Sequence, residues 1–204
     1  MDGGTEHLTD CFRKSSNLIK SDVLDFITSL SSGPIEIREQ ILKGHNKVNC
    51  DKIVKWIGDN QERFDELFNL FVNDEYRVVQ RAGWPLSNCV ALHPFFIKKH
   101  FSKLLKNLEK PGNHEAVKRN TVRLLQEVDI PVKYHGRIMD LCFGYIASPD
   151  EAIAVKAFSL TILQHLSRIY PEINNELKVI IEERWDFETA AFRSRAKKIL
   201  KGIN

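Results

Sequence analysis

The sequence predicts an all-α fold, a right-handed α-α superhelix of about four helical pairs behind an N-terminal helical cap. Three observations point there. A short phrase recurs at Val79-Gln80, Val117-Lys118, Val155-Lys156 and Phe192-Arg193, in steps of 38, 38 and 37 residues. Each copy has an apolar residue seven positions on, at Leu86, Leu124, Ile162 and Ile199. No segment alternates with period two between turn signals, so strands are not expected. Stacked helical pairs give a period of this size, because one pair cannot bury its own apolar stripe without neighbours.

Residues 1–20 are polar, carry two adjacent glycines and read as a flexible tail. Residues 21–58 are expected to form capping helices and 59–204 the repeat region, together one continuous domain. In the cap, the stretch 22–30 sets Val23, Phe26, Ile27 and Leu30 on one face. A second helix opens at Pro34 after Gly33, carries Ile37, Ile41 and Leu42, and stops near Gly44. A third covers 49–57, and Gly58 suits its C-terminal stop.

The repeat region then reads as four pairs: 60–72 with 74–92, 94–110 with 113–127, 131–147 with 150–169, and 171–184 with 187–201. Phe64, Leu67, Phe68 and Phe71 mark the first of these helices by their i, i+3, i+4, i+7 spacing. Pro94 opens the third, whose stripe of Ile97, Phe101, Leu104, Leu105 and Leu108 ends at Pro111-Gly112. Ser148-Pro149-Asp150-Glu151 carries the residues of a helix start: a Ser cap, Pro at the first position, Glu three residues after the cap. Pro85 falls inside a predicted helix, where it should kink the helix or remove a backbone bond at about 3 kcal/mol.

Composition excludes several classes. Hydrophobic content of 43% with 28% charged residues is that of an ordinary globular chain. The N-terminus lacks the apolar core of a signal peptide, and no apolar run approaches the roughly 18 residues of a membrane span. A cytoplasmic protein is expected. Cys11, Cys50, Cys89 and Cys142 lie 39 to 53 residues apart, which suits neither a disulfide framework nor a zinc site. Cys89 and Cys142 have apolar neighbours and are expected to be core thiols. The net charge of +3 conceals segregation: residues 1–76 carry 9 Lys/Arg against 14 Asp/Glu, 77–123 carry 10 against 2, 124–188 carry 6 against 11, and 189–204 carry 5 against none.

The second helix of each pair resembles the HEAT-repeat (armadillo-like) consensus, Val-Arg followed at fixed offsets by small or apolar residues. Small residues recur at Gly83, Thr121, Ser159 and Ala196, where paired helices must approach closely. The resemblance spans about residues 60 to 201 and implies a short HEAT-like α-solenoid. HEAT repeats often place an Asp six residues before the basic position, forming a ladder of ion pairs between units. Only Asp150 with Lys156 matches that spacing in full; Gln80 stands opposite Asp74, and Gly112 and Phe187 fill the other slots. A largely absent ladder is therefore expected. The chain also resembles short bacterial HEAT-like proteins sometimes labelled adenylosuccinate lyase. Similarity to the lyase itself is confined to Ser31-Ser32-Gly33-Pro34 of a longer loop motif.

The search for chemistry returns little. No phosphate-cradling glycine loop, His-x-x-x-His pair or Gly-x-Ser-x-Gly elbow is present, so no metal or cofactor is expected. His165 lies in an apolar helix pattern and is expected to be a structural histidine. The one constellation with binding chemistry is Arg77, Arg81 and Trp84 on one second helix, with Arg119 and Arg123 on the next. The arginines stand four apart in each pair, and Arg81 and Arg119 are equivalent in the repeat. In HEAT-like solenoids the second helices line the concave surface. Guanidinium forks and an indole there would suit a carboxylate-rich peptide or a phosphate backbone; a plain solvated face with Trp84 in the core is the alternative.

Lys98, Lys99, Lys103, Lys106 and Lys110 are expected to solubilise a convex face. Arg193, Arg195, Lys197, Lys198 and Lys201 are expected to form the polar outer face of a terminal helix. The functional expectation is a non-enzymatic scaffold that receives a protein or acidic peptide in its concave groove. Nucleic-acid binding of the alkylpurine DNA glycosylase kind is the alternative, with Trp84, Trp185 and Asp186 its only candidate residues, and a lyase comes third.

Overall fold

The structure, a computed structural model, describes residues 36–110 and 115–203. The expected tail, the helix over 22–30 and the Ser31-Ser32-Gly33-Pro34 stretch lie outside the described residues, as does Cys11. Among the described residues the chain is all helical: α1 Ile37–Leu42, α2 Lys47–Ile57, α3 Gln61–Asn73, α4 Tyr76–Leu92, α5 Phe101–Leu108, α6 Glu115–Leu125, α7 His135–Ala147, α8 Ile153–Ser167, α9 Asn174–Arg184 and α10 Ala190–Ile203. Short 3-10 turns at Pro94–His100, Val132–Tyr134 and Pro171–Ile173 lead into α5, α7 and α9, and another at Trp185–Phe187 follows α9. Pro94, Pro131 and Pro171 thus open tight turns at the unit junctions, where a helix starting directly at Pro94 was expected.

Local chemistry sets the ends. The Asn46 side chain accepts from the Asn49 N–H at 2.9 Å, so α2 begins two residues before the expected start. Asn60 caps α3 in the same way, accepting from the Arg63 N–H at 3.0 Å. Gly58 closes α2 at φ 54°, a backbone state that L side chains disfavour. The Ser148-Pro149-Asp150-Glu151 start signal is not used as one: Ser148 is the C-terminal cap of α7, and α8 begins only at Ile153. Pro85 sits buried within α4, which continues through it to Leu92.

The pairs α3/α4, α5/α6, α7/α8 and α9/α10 stack through their second helices: α4 on α6, α6 on α8, α8 on α10. The first helices touch one another less, so the second helices hold the inner side of the stack. α1 and α2 pack against α4 on its free flank. The repeated phrase supplies this seam. Val79, Val117, Val155 and Phe192 are at most 7% exposed, and Leu86, Leu124, Ile162 and Ile199 at most 2%. All eight belong to one hydrophobic cluster running from Ile37 to Ile199. Gly83, Thr121, Ser159 and Ala196 are buried along the same seam.

An inter-unit ladder is present, against expectation. Arg38 pairs with Asp74 at 2.9 Å, Lys118 with Glu151 at 2.7 Å, and Lys156 with Glu188 at 2.5 Å. Each basic residue reaches the loop of the following unit. The acids of the later rungs stand one residue beyond the expected slots, Glu151 rather than Asp150 and Glu188 rather than Phe187. The Lys156–Glu188 rung is buried and shared with Arg184, whose Nη2 lies 3.0 Å from Glu188 Oε1.

Candidate functional site

The residues singled out in the sequence separate into three environments. Trp84 on α4 and Arg119 and Arg123 on α6 come together around an open depression of about 310 Å³, completed by His45, Gln80 and Asn120. Arg81 turns away from it: its Nη1 donates to the Leu42 carbonyl at 2.7 Å, tying α4 to the end of α1. Arg77, one turn earlier, is exposed and does not line the depression.

The helix geometry explains this division. Trp84 and Gln80 are one turn apart on α4, and Arg119 and Arg123 are one turn apart on α6, so the two helices present parallel rows. The α1–α2 turn supplies His45, whose ring stands edge-on to the Trp84 indole with centroids 5.5 Å apart. Arg81 lies on the α4 flank that faces α1 and α2, where the last carbonyls of the short α1 call for donors.

Among the described residues no acidic side chain lines the depression. Arg119 and Arg123 are half-buried, and their side chains form no ion pair or hydrogen bond among the described residues. Asn120, at 7% exposure, lines the same depression, and its side chain likewise has no hydrogen-bond partner among the described residues. Its amide sits directly over Gly83, where an added Cβ would lie 2.8 Å from Asn120 Cβ and closer still to the amide atoms. Below, Cys50 is buried; desolvation and the neighbouring Asp51 push its thiol up to about 11, against the pull of the Arg123 guanidinium and the Asn88 amide. A thiol so displaced is neutral near pH 7 and a poor nucleophile.

The remaining candidates fall elsewhere. Trp185 and Asp186 occupy the 3-10 turn of the fourth pair, whereas Trp84 belongs to the first. The Trp185 ring faces Lys197, whose Nζ lies 5.9 Å from its centroid. His165 is exposed, so the structural role expected of it is not what the structure shows. The histidine that is buried and engaged is His135, bonded to the Tyr170 hydroxyl at 3.0 Å and the Ile130 carbonyl at 2.6 Å. Its spacing to Tyr170, one unit apart, is the signal that could have found it. Cys89 and Cys142 are buried thiols, as expected. All five lysines of 98–110 are exposed, with Lys99 paired to Asp65. Of the terminal group, Lys197, Lys198 and Lys201 are exposed, but Arg195 turns inward, donating to the Ala157 carbonyl at 2.9 Å and the Thr161 hydroxyl at 2.7 Å.

With the stack and its register in view, comparison with known families is decisive. A family model described as HEAT repeat domain matches residues 37–203. The chain belongs to the HEAT repeat domain family. The match takes in α1 and α2 as well as the four pairs. No curated protein and no solved structure matches this HEAT repeat chain significantly. No described helix of it is long and apolar enough to cross a membrane.

Proposed function

We propose that this HEAT repeat chain is a non-enzymatic scaffold that captures a partner protein through an acidic segment laid against its second helices. The supporting observation is the pair Arg119 and Arg123, half-buried on the inner face beside the Trp84 indole, with no acidic residue among the described ones lining the depression. Cations left without a counter-charge in a partly desolvated site favour an incoming anion, and guanidinium forks orient it. Arg77 flanks this surface, while Arg81 supports it by holding α1 against α4. The capping helices and the four pairs act as one continuous domain, since α1 and α2 pack on the helix that carries Trp84.

Arg119→Glu combined with Arg123→Glu should abolish recovery of a stoichiometric protein partner in affinity purification. The helical circular-dichroism spectrum and melting temperature should stay near those of the parent. Recovery of the same partner in the same amount would remove the depression from the binding surface.

A further inference from the structure

Resting on that reading, we infer that the group held between Arg119 and Arg123 is a single phosphoryl dianion on a peptide side chain. Three observations lead to a compact, doubly charged anion rather than an extended acidic tract. First, the positive charge of the inner face is local. The third pair places Ala157 and Thr161 at the positions equivalent to Arg119 and Arg123. The arginine nearest to them in the stack, Arg195, is committed to the Ala157 carbonyl and the Thr161 hydroxyl and lies over the Phe158 ring, 5.7 Å from its centroid. On the other side, Arg81 is committed to the Leu42 carbonyl. A polyanion such as single-stranded nucleic acid, or a run of glutamates, would find the equivalent positions of the third pair uncharged and Arg81 already committed, with Arg77 outside the depression, and affinity for such ligands grows with the number of contacts.

Second, the charges match. Two guanidinium groups one helical turn apart balance a phosphomonoester of about −1.5 to −2, whereas a carboxylate would leave one of them uncompensated. Third, the donors outnumber what a carboxylate can accept. Asn120, nine-tenths buried and without a partner among the described residues, offers an amide at the floor; Gln80 offers another from the α4 wall. Together with two guanidinium forks they suit three terminal phosphoryl oxygens better than two carboxylate oxygens. Trp84 then supplies an apolar wall for the body of the side chain. Gly83 is part of the device, because only the missing Cβ leaves space for the Asn120 amide beneath the site.

The test uses the whole chain and fluorescence polarisation with four degenerate peptide pools, centred on phosphoserine, phosphotyrosine, glutamate or serine, and with a single-stranded oligothymidylate. At least one phosphorylated pool should bind tenfold or more tightly than the glutamate and serine pools. Inorganic phosphate at millimolar concentration should displace it. Arg119→Ala and Arg123→Ala should each lower that affinity at least tenfold, Asn120→Ala severalfold, and Arg77→Ala negligibly. Arg119→Lys, which keeps the charge without the fork, should lie between. Circular-dichroism melting accompanies each variant, and for any that fails to fold, phosphate displacement from the parent protein decides. Equal binding of the glutamate and phosphorylated pools overturns the phosphoryl assignment while leaving an acidic-segment scaffold standing. Oligothymidylate binding more tightly than every peptide, or no binding by any probe, overturns both.

Discussion

At Gly83 the backbone of α4 comes so close to α6 that a methyl group would overlap the Asn120 side chain, including its Cβ. Because Cβ cannot swing aside, Gly83→Ala must separate the two helices. Alanine gains about 1 kcal/mol of helix propensity over glycine, but overpacking of this kind costs about 1–3 kcal/mol. We expect a net loss of up to about 2 kcal/mol in urea denaturation, only partly recovered in the Gly83→Ala/Asn120→Ala double variant, which removes the amide overlap but keeps the Cβ contact. One residue on, Thr121 is fully buried and its hydroxyl has no partner among the described residues. Thr121→Val keeps the shape and removes an unpaired polar atom, so stability should rise by about 1 kcal/mol; a lower urea midpoint would contradict this. The sequence marked both positions as small, because the 38-residue register aligns them. It could not show why each is small. Gly83 makes room for an amide contributed from 37 residues away, and Thr121 simply fills the equivalent space in the next unit.

Between elements, the ladder shows how burial decides the worth of a charge. Lys156 and Glu188 are 3% and 4% exposed at the side chain, while Lys118 is 27% exposed. Removing one partner of a buried pair leaves an uncompensated charge and costs about 3–5 kcal/mol, whereas a partly exposed pair contributes about 1 kcal/mol or less. Arg184 remains beside Glu188, so Lys156→Met should fall at the lower end, about 3 kcal/mol. Adding Glu188→Leu should restore most of it, and Lys118→Met should cost under about 1 kcal/mol; equal losses at the two lysines would refute the burial argument. The first rung adds a pH dependence. The Arg38 guanidinium, opposed by burial, holds Asp74 below its ordinary value of 3.8. A depressed carboxylate stabilises the fold above its unfolded value, and that stability is lost as pH falls through the lower folded value. Melting temperature should therefore drop as pH falls below about 4, and Asp74→Asn should flatten that drop. The sequence conceals this ladder because the acids do not stand six residues before the basic position of their own unit. The pairing instead runs from one unit to the next loop, where Glu151 and Glu188 stand one residue later. The same shift explains the unused start signal at Ser148: with Glu151 Oε2 held by Lys118 and Oε1 bonded to the Ala152 N–H, the helix forms only from Ile153.

For the molecule as a whole, the repeat phrase was enough to fix the stack, since a buried apolar residue every 37 or 38 positions has no other economical explanation. The inner-face chemistry was only half legible. Spacing placed Arg81 and Arg119 in equivalent slots, but equivalence in register says nothing of neighbours, and only Arg81 has α1 beside it to claim its guanidinium. The stack has a thermodynamic consequence of its own. Among the described residues each pair packs chiefly on the next, so stability should be a sum of units and interfaces rather than one all-or-none quantity. Phe192 is fully buried and joins α10 to α8 at one end of the series. Phe192→Ala should cost about 3–5 kcal/mol locally. Native-state hydrogen exchange should register that cost in α9 and α10, and in the α8 amides facing them, while Val78 to Val90 in α4 keep their protection. Uniform loss of protection along the whole chain would instead show one cooperative core, in which the last pair is bound to the first as tightly as to its neighbour.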